Sequence, residues 1–265
     1  MTNKYLNVVD QYDFLDNAVS LIGEDHDVSQ LAVESYKTYP PYNSWVLHNV
    51  SPHRRQVTSK GAWLSSSKDN TIDVAGDTLT SVTAFEGFKD VEPQLYGLFK
   101  RSYHTIGNFI PWAEGGNLGG RSNKFGCTAD HFYKKLIVCK DIFDGKVSYD
   151  TVSVKKRIID GKMLGRGIAC YSCIQYWIDE VWINNGKDWS DFITDNYLQD
   201  MTDDDLDPIP FIVGDDAGTM LTDRSQVKTS LIQAIKMIIK RGYRITHRGE
   251  INEGLLNDLY TKLEI

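Results

Sequence analysis

Residues Arg224–Arg241 read RSQVKTSLIQAIKMIIKR, and the spacing of their apolar positions decides the fold class. Val227, Leu231, Ala234, Ile235 and Ile238 recur at steps of three and four residues. That is the period of one helix face, not the two-residue alternation of a half-buried strand. The same period recurs along the chain. Tyr12 to Ile22 carries Phe14, Leu15, Ala18, Val19 and Ile22 on one face and ends at Gly23. Ser29 to Tyr39 is a second short helix, stopped by Pro40 and Pro41. Asp77 or Thr78 has the character of an N-cap for a helix to about Gly87. Glu92 to Tyr103 follows, with Pro93 suited to a first turn. Thr128 to Phe143 places Phe132, Leu136, Cys139 and Phe143 on one face, with Lys134, Lys135 and Asp141 elsewhere. Ile168 to Ile183 is apolar almost all round, as a central buried helix should be. Ser190 to Met201 and Gly254 to Leu263 complete the series, for about nine helices in all.

Between Asn43 and Asp73 the helical period is lost. Trp45-Val46-Leu47 suits a short strand, and Ser65 to Asn70 a polar loop. The expectation is a mainly α fold: a single compact multi-helix domain over residues 1–265, packed around Ile168–Ile183, with at most two or three short strands. Met201 to Asp223, with Pro208, Pro210, Gly214 and Gly218, is the one long loop and the place for a subdomain break.

Bulk composition narrows the function classes. The chain has 265 residues, 41% of them apolar, enough for a core without metal or disulfide staples. Its net charge is −7 and its pI about 5.4. Proteins that grip nucleic acid by its phosphates usually show a basic face, so global charge disfavours non-specific binding and leaves only a local basic groove. No apolar run approaches the ~20 residues that span a bilayer. The opening MTNKYLNVVD is no signal peptide. Four cysteines form no secreted-type framework, and free thiols in a reducing cytoplasm are the simplest reading.

The stretch best suited to chemistry is Tyr103-His104-Thr105-Ile106-Gly107-Asn108-Phe109-Ile110-Pro111-Trp112, which runs on into Gly115-Gly116-Asn117-Leu118-Gly119-Gly120-Arg121. A histidine at a helix C-terminus is favoured by the macrodipole when protonated and exchanges protons near neutral pH. Arg121 offers a planar fork to a phosphate or carboxylate. The glycines let backbone amides approach an anion, just ahead of the helix expected from Thr128. The equally simple structural reading is a helix end whose histidine and threonine satisfy a turn, with Arg121 in an ion pair.

Gly76-Asp77-Thr78-Leu79-Thr80-Ser81, Tyr103 to Pro111, Asn117 and Arg121, and later Ile239-Lys240-Arg241-Gly242, together resemble an uncharacterised family from bacteria and their phages. The resemblance covers the middle and C-terminal parts of the chain. It implies a bacterial or phage origin and a site at these residues, and it brings no activity with it. Family members often place a proline after the tryptophan position, where this chain has Ala113.

Other patterns carry less. Gly115-x-x-x-x-Gly120-Arg121-Ser122 nearly spells a phosphate-cradling loop, but the mechanism needs lysine where Arg121 stands. Tyr-His-Thr looks a little like an ADP-ribosyltransferase motif, a fold built on strands. Cys170 and Cys173 have zinc-like spacing, but Cys127 and Cys139 do not supply a second pair, so no metal is expected. Asp203, Asp204, Asp205, Asp207, Asp215 and Asp216 lack the order of a calcium loop and suit a solvated surface. Lys236, Lys240, Arg241, Arg244, His247 and Arg248 either neutralise a helix C-terminus or bind phosphates, and His53-Arg54-Arg55 and Lys155-Lys156-Arg157 share that ambiguity. Asp179 and Glu180 are adjacent, so at most one faces inward.

The reading from sequence is therefore a cytoplasmic protein with an anion-binding pocket near His104 and Arg121, acting on a nucleotide or RNA phosphate. His104 would be the general acid or base and Arg121 would stabilise negative charge. Tyr103, Thr105, Asn108 and Asn117 would contact or orient the substrate. No cofactor is implied, and whether catalysis occurs stays open. The rival is a non-catalytic factor of host–phage conflict that binds a protein partner through the acidic loop Met201–Asp223 or an exposed aromatic patch such as Trp182 and Trp189.

Overall fold

The computed structural model describes residues 39–42, 46–48, 63–65, 73–80, 85, 89–103, 105–113, 131–159, 170–210 and 224–265. The helices expected at Tyr12–Ile22 and Ser29–Tyr39 lie outside this set, apart from Tyr39. So do His104, Asn117 and Arg121.

The fold is mainly helical. Among the described residues four short strands accompany the helices, one or two more than the sequence pattern suggests. They are β1 (Val46–His48), β2 (Trp63–Ser65), β3 (Asp73–Thr78) and β4 (Phe109–Ala113), in one antiparallel sheet of order β1-β2-β3-β4. Val46 and Leu47 are strand as expected. Asp77 and Thr78 are not helix caps: they close β3, with Asp77 opposite Ile110 and Thr78 opposite Phe109. Pairing with a distant segment overrides the local capping signal there. Phe85 is helical and buried.

The helices are α1 (Pro93–Tyr103), α2 (His131–Phe143), α3 (Val152–Ile159), α4 (Cys170–Val181), α5 (Trp189–Asp195), α6 (Arg224–Thr246) and α7 (Glu253–Leu263). In α1 the proline occupies the first turn, and Leu95, Leu98, Phe99 and Ser102 form the buried stripe. In α6 Val227, Leu231, Ala234, Ile235 and Ile238 are all fully buried, as the period requires. This helix runs beyond Arg241 to Thr246 because Gly242 does not stop it. It ends where Arg248 turns left-handed at φ 53° and Gly249 at φ 97°, with Gly249 N–H donating to Arg244 O at 2.8 Å, a Schellman-type closure. The helix expected over Ser190–Met201 is broken. Asn196 ends α5, Tyr197 adopts φ 54°, and a 3-10 turn, Gln199–Met201, follows. Helix α3 was not foreseen: its exposed Val152 and flanking lysines mask the period.

An aromatic spine links sheet to helices. Trp112 of β4 lies 5.3 Å from Phe132 and 4.8 Å from Trp177. Trp177 meets Trp182 at 4.8 Å, and Trp182 meets Phe192 at 4.9 Å. Buried indoles need a partner for their N–H, and three of them show it. Trp177 donates to Tyr42 Oη, Trp182 to Asp195 Oδ2 and Trp189 to Leu206 O. Trp182 and Trp189 are thus buried and form no exposed aromatic patch. Lys135, expected away from the core, is also buried (1% exposed), with its ammonium 5.5 Å from the Trp112 ring centre. Among the described residues no helix is long and apolar enough to cross a membrane.

Candidate functional site

Helix α1 delivers the chain to a buried turn, Thr105 to Asn108, that leads straight into β4. Ser102 back-bonds to Leu98 O at 3.0 Å. Thr105 Oγ1 donates to Ser102 O at 2.7 Å, and its N–H to the same oxygen at 3.0 Å. These bonds close the helix end on itself. Tyr103 is half-buried, its ring 6.1 Å from Phe99.

Asn108 has no exposed surface. Its Oδ1 accepts from Thr80 N–H at 3.0 Å, and its Nδ2 donates to Thr80 O at 3.3 Å and Tyr103 O at 3.1 Å. Its own carbonyl accepts from Leu79 N–H at 2.9 Å. The side-chain amide thus pairs like a strand residue with Thr80, continuing the β3–β4 ladder past its last backbone pair. An amide has two donor hydrogens and a carbonyl, and both ends are engaged. Asn108 and Thr105, expected beside the substrate, are buried and bonded within the turn.

Gly107 lets this turn lie directly on α6. A Cβ built there would stand 1.9 Å from Ile238 O, 2.7 Å from Gly242 N and 2.9 Å from Ile238 C. Every one of these is a backbone atom that cannot rotate aside.

Arg241 locks the contact. It is 1% exposed, and one guanidinium nitrogen donates to Gly107 O at 2.8 Å and Phe109 O at 2.7 Å, with Ile106 O at 3.5 Å. The other donates to Tyr39 Oη at 2.8 Å and Asn196 O at 3.0 Å. Tyr39 in turn donates to Phe109 O at 2.9 Å. Burial pushes the Tyr39 hydroxyl above its ordinary pKa, and the neighbouring guanidinium pulls the other way. The planar fork suits several carbonyls in one plane, which a lysine could not serve.

Sequence reasoning placed Arg241 in a basic run and missed this role. The signal was present: Arg241 continues the series Val227, Leu231, Ala234, Ile238 at the same three- and four-residue steps, so it had to share the buried face.

The rest of that basic run is also engaged. Lys240 Nζ lies 3.0 Å from Asp200 and 2.9 Å from Glu253. Arg244 pairs with Asp200 at 2.8 Å. Lys236 sits 5.1 Å from the Tyr260 ring centre. His247 stacks on Tyr243 at 3.8 Å and shares its Nδ1 with Tyr243 O. Arg248 is exposed, and its charge acts to lower the pKa of the Tyr197 hydroxyl. These groups tie α6 to α7 and to the 3-10 turn, which tells against a phosphate patch.

Beyond α5 the chain makes a tight acidic turn. Asp203 Oδ1 accepts from Asp205 N–H at 3.1 Å and Asp207 N–H at 2.8 Å, and Leu206 adopts φ 60° with its carbonyl bonded to Trp189. Asp203, Asp204, Asp205 and Asp207 are exposed, and Asp207 lies 3.5 Å from the Lys140 ammonium. Cys173 is buried beside the core rather than poised for metal, and no group of three or more metal-capable side chains gathers among the described residues. Asp179 accepts from Gln175 at 2.8 Å. Burial raises its carboxyl pKa, and the Gln175 bond and nearby Lys155 oppose the rise.

Comparison with protein-family models, curated proteins and solved structures found no match to the chain.

Proposed function

We propose that this chain, of bacterial or phage origin and cytoplasmic, binds a phosphate-bearing ligand, a nucleotide or RNA phosphate, on the segment from His104 to Arg121. One observation supports this above others. The residues on either side of His104 are held rigidly by Thr105, Asn108 and Arg241, and a site needs such a support more than it needs extra contacts. In this reading His104 and Arg121 keep the roles of proton carrier and anion clamp, with Asn117 and Tyr103 beside the ligand. Thr105 and Asn108 serve as the frame.

The reach is sufficient. Strand β4 carries the chain about 17 Å away from the turn at ~3.4 Å per residue. The eight residues from Ala113 to Arg121 extend to about 28 Å, so the guanidinium can return to His104.

The test is thermal unfolding of wild type, His104→Ala and Arg121→Ala, each with a panel of nucleotides and with inorganic phosphate. A ligand at 100 times its Kd stabilises by about 2.7 kcal/mol. The reading expects both variants to melt like wild type and to lose the ligand-induced rise. If no nucleotide or phosphate shifts the wild type, the reading is overturned.

A second reading is favoured by the acidic turn. Asp203, Asp204 and Asp205 are exposed carboxylates on a backbone already fixed, which lowers the ordering cost of meeting a basic protein partner. Binding of a lysine-rich peptide by wild type, lost with Asp204→Asn/Asp205→Asn and weakened by salt, supports this reading. Equal binding by the variant removes it.

A further inference from the structure

We draw no further inference here: the strongest candidate, the half-buried Gln175–Asp179 pair on α4 near the stacked rings of Tyr149 and Tyr171, is set apart only by the upward pull of burial on its carboxyl, and nothing in the structure shows what ligand it would meet.

Discussion

Replacing Gly107 with alanine separates packing at the α6 contact from every other property of the turn. The new methyl carbon would meet Ile238 O at 1.9 Å. An ordinary contact of about 3.5 Å requires the turn to withdraw by roughly 1.6 Å. Withdrawal pulls Gly107 O and Phe109 O away from Arg241, whose bonds to them are 2.8 and 2.7 Å. Hydrogen bonds to a charged group contribute about 1.5–3 kcal/mol each, and leaving a buried guanidinium short of acceptors is costly. The expected loss is about 4 kcal/mol, a large part of the ~5–15 kcal/mol that holds a typical domain together. For a chain of this size about 2–4 °C accompanies each kcal/mol, so the Tm should fall by roughly 8–16 °C. The assay is thermal and urea unfolding followed by circular dichroism. The control is Gly242→Ala, across the same interface. There a Cβ would lie 3.5 Å from Gly107 N and 3.6 Å from its Cα, an ordinary contact. Alanine also favours helix over glycine by about 1 kcal/mol, so this variant should melt at or above the wild-type temperature. A Gly107→Ala protein within about 3 °C of wild type would falsify the proposed close contact, as would equal damage from both substitutions.

Arg241→Lys should cost about 3–5 kcal/mol despite keeping the charge, because one ammonium cannot reach acceptors on three segments; an unchanged urea midpoint would contradict this. Asn108→Asp puts an acceptor against Thr80 O and Tyr103 O and should destabilise by about 3 kcal/mol at neutral pH. Since a buried aspartate is favoured only when protonated, that loss should shrink as pH falls, and a pH-independent loss would argue against the assigned bonds. At Asp179 burial raises the folded-state pKa, so its ionisation opposes folding as pH rises through the folded value. Asp179→Asn should therefore gain stability over wild type at neutral pH and match it below the ordinary aspartate range, as measured by Tm against pH. Lys240→Met, which severs Asp200 from Glu253, should cost about 1 kcal/mol at low ionic strength and less in high salt; a salt-independent cost would reassign the lysine's contribution to its aliphatic stem.

The parts of the fold legible in the sequence were those whose information is local. Helix α6 repeats its period over several turns, so one misread residue could not hide it. Helices α1, α2, α4 and α7 show the same signal over shorter spans. The sheet was largely illegible because strands of three to six residues carry too few alternations to register. Strand β4 is buried along its whole length, so it shows no alternation at all. Pro111 within it is uncommon in a strand interior, and β4 lies at one end of the strand order, where proline is tolerated. At the candidate site the sequence singled out Thr105 and Asn108 without reporting how they are bonded. Thr105 follows His104 directly and Asn108 lies four residues after it; both are polar, which matches ligand contact and buried bonding equally well. Their bonding partners, Thr80 and Tyr103 for Asn108 and Ser102 for Thr105, are visible only in the fold. Trp182 and Trp189 were misplaced for a related reason, since a tryptophan's surroundings depend on chain segments that local pattern does not report.

The guanidinium of Arg241 also sets an order on how this protein can mature. The carbonyls of Gly107 and Phe109 are separated from it by 134 and 132 residues. At the ~5–20 residues per second of translation, the turn would wait roughly 7–27 s before the residue that satisfies it has been synthesised. Until then its carbonyls must stay hydrated, and the floor of the sheet cannot close. Nascent chains halted before residue 241 should therefore leave this turn open to protease, and chains extended past it and released should not.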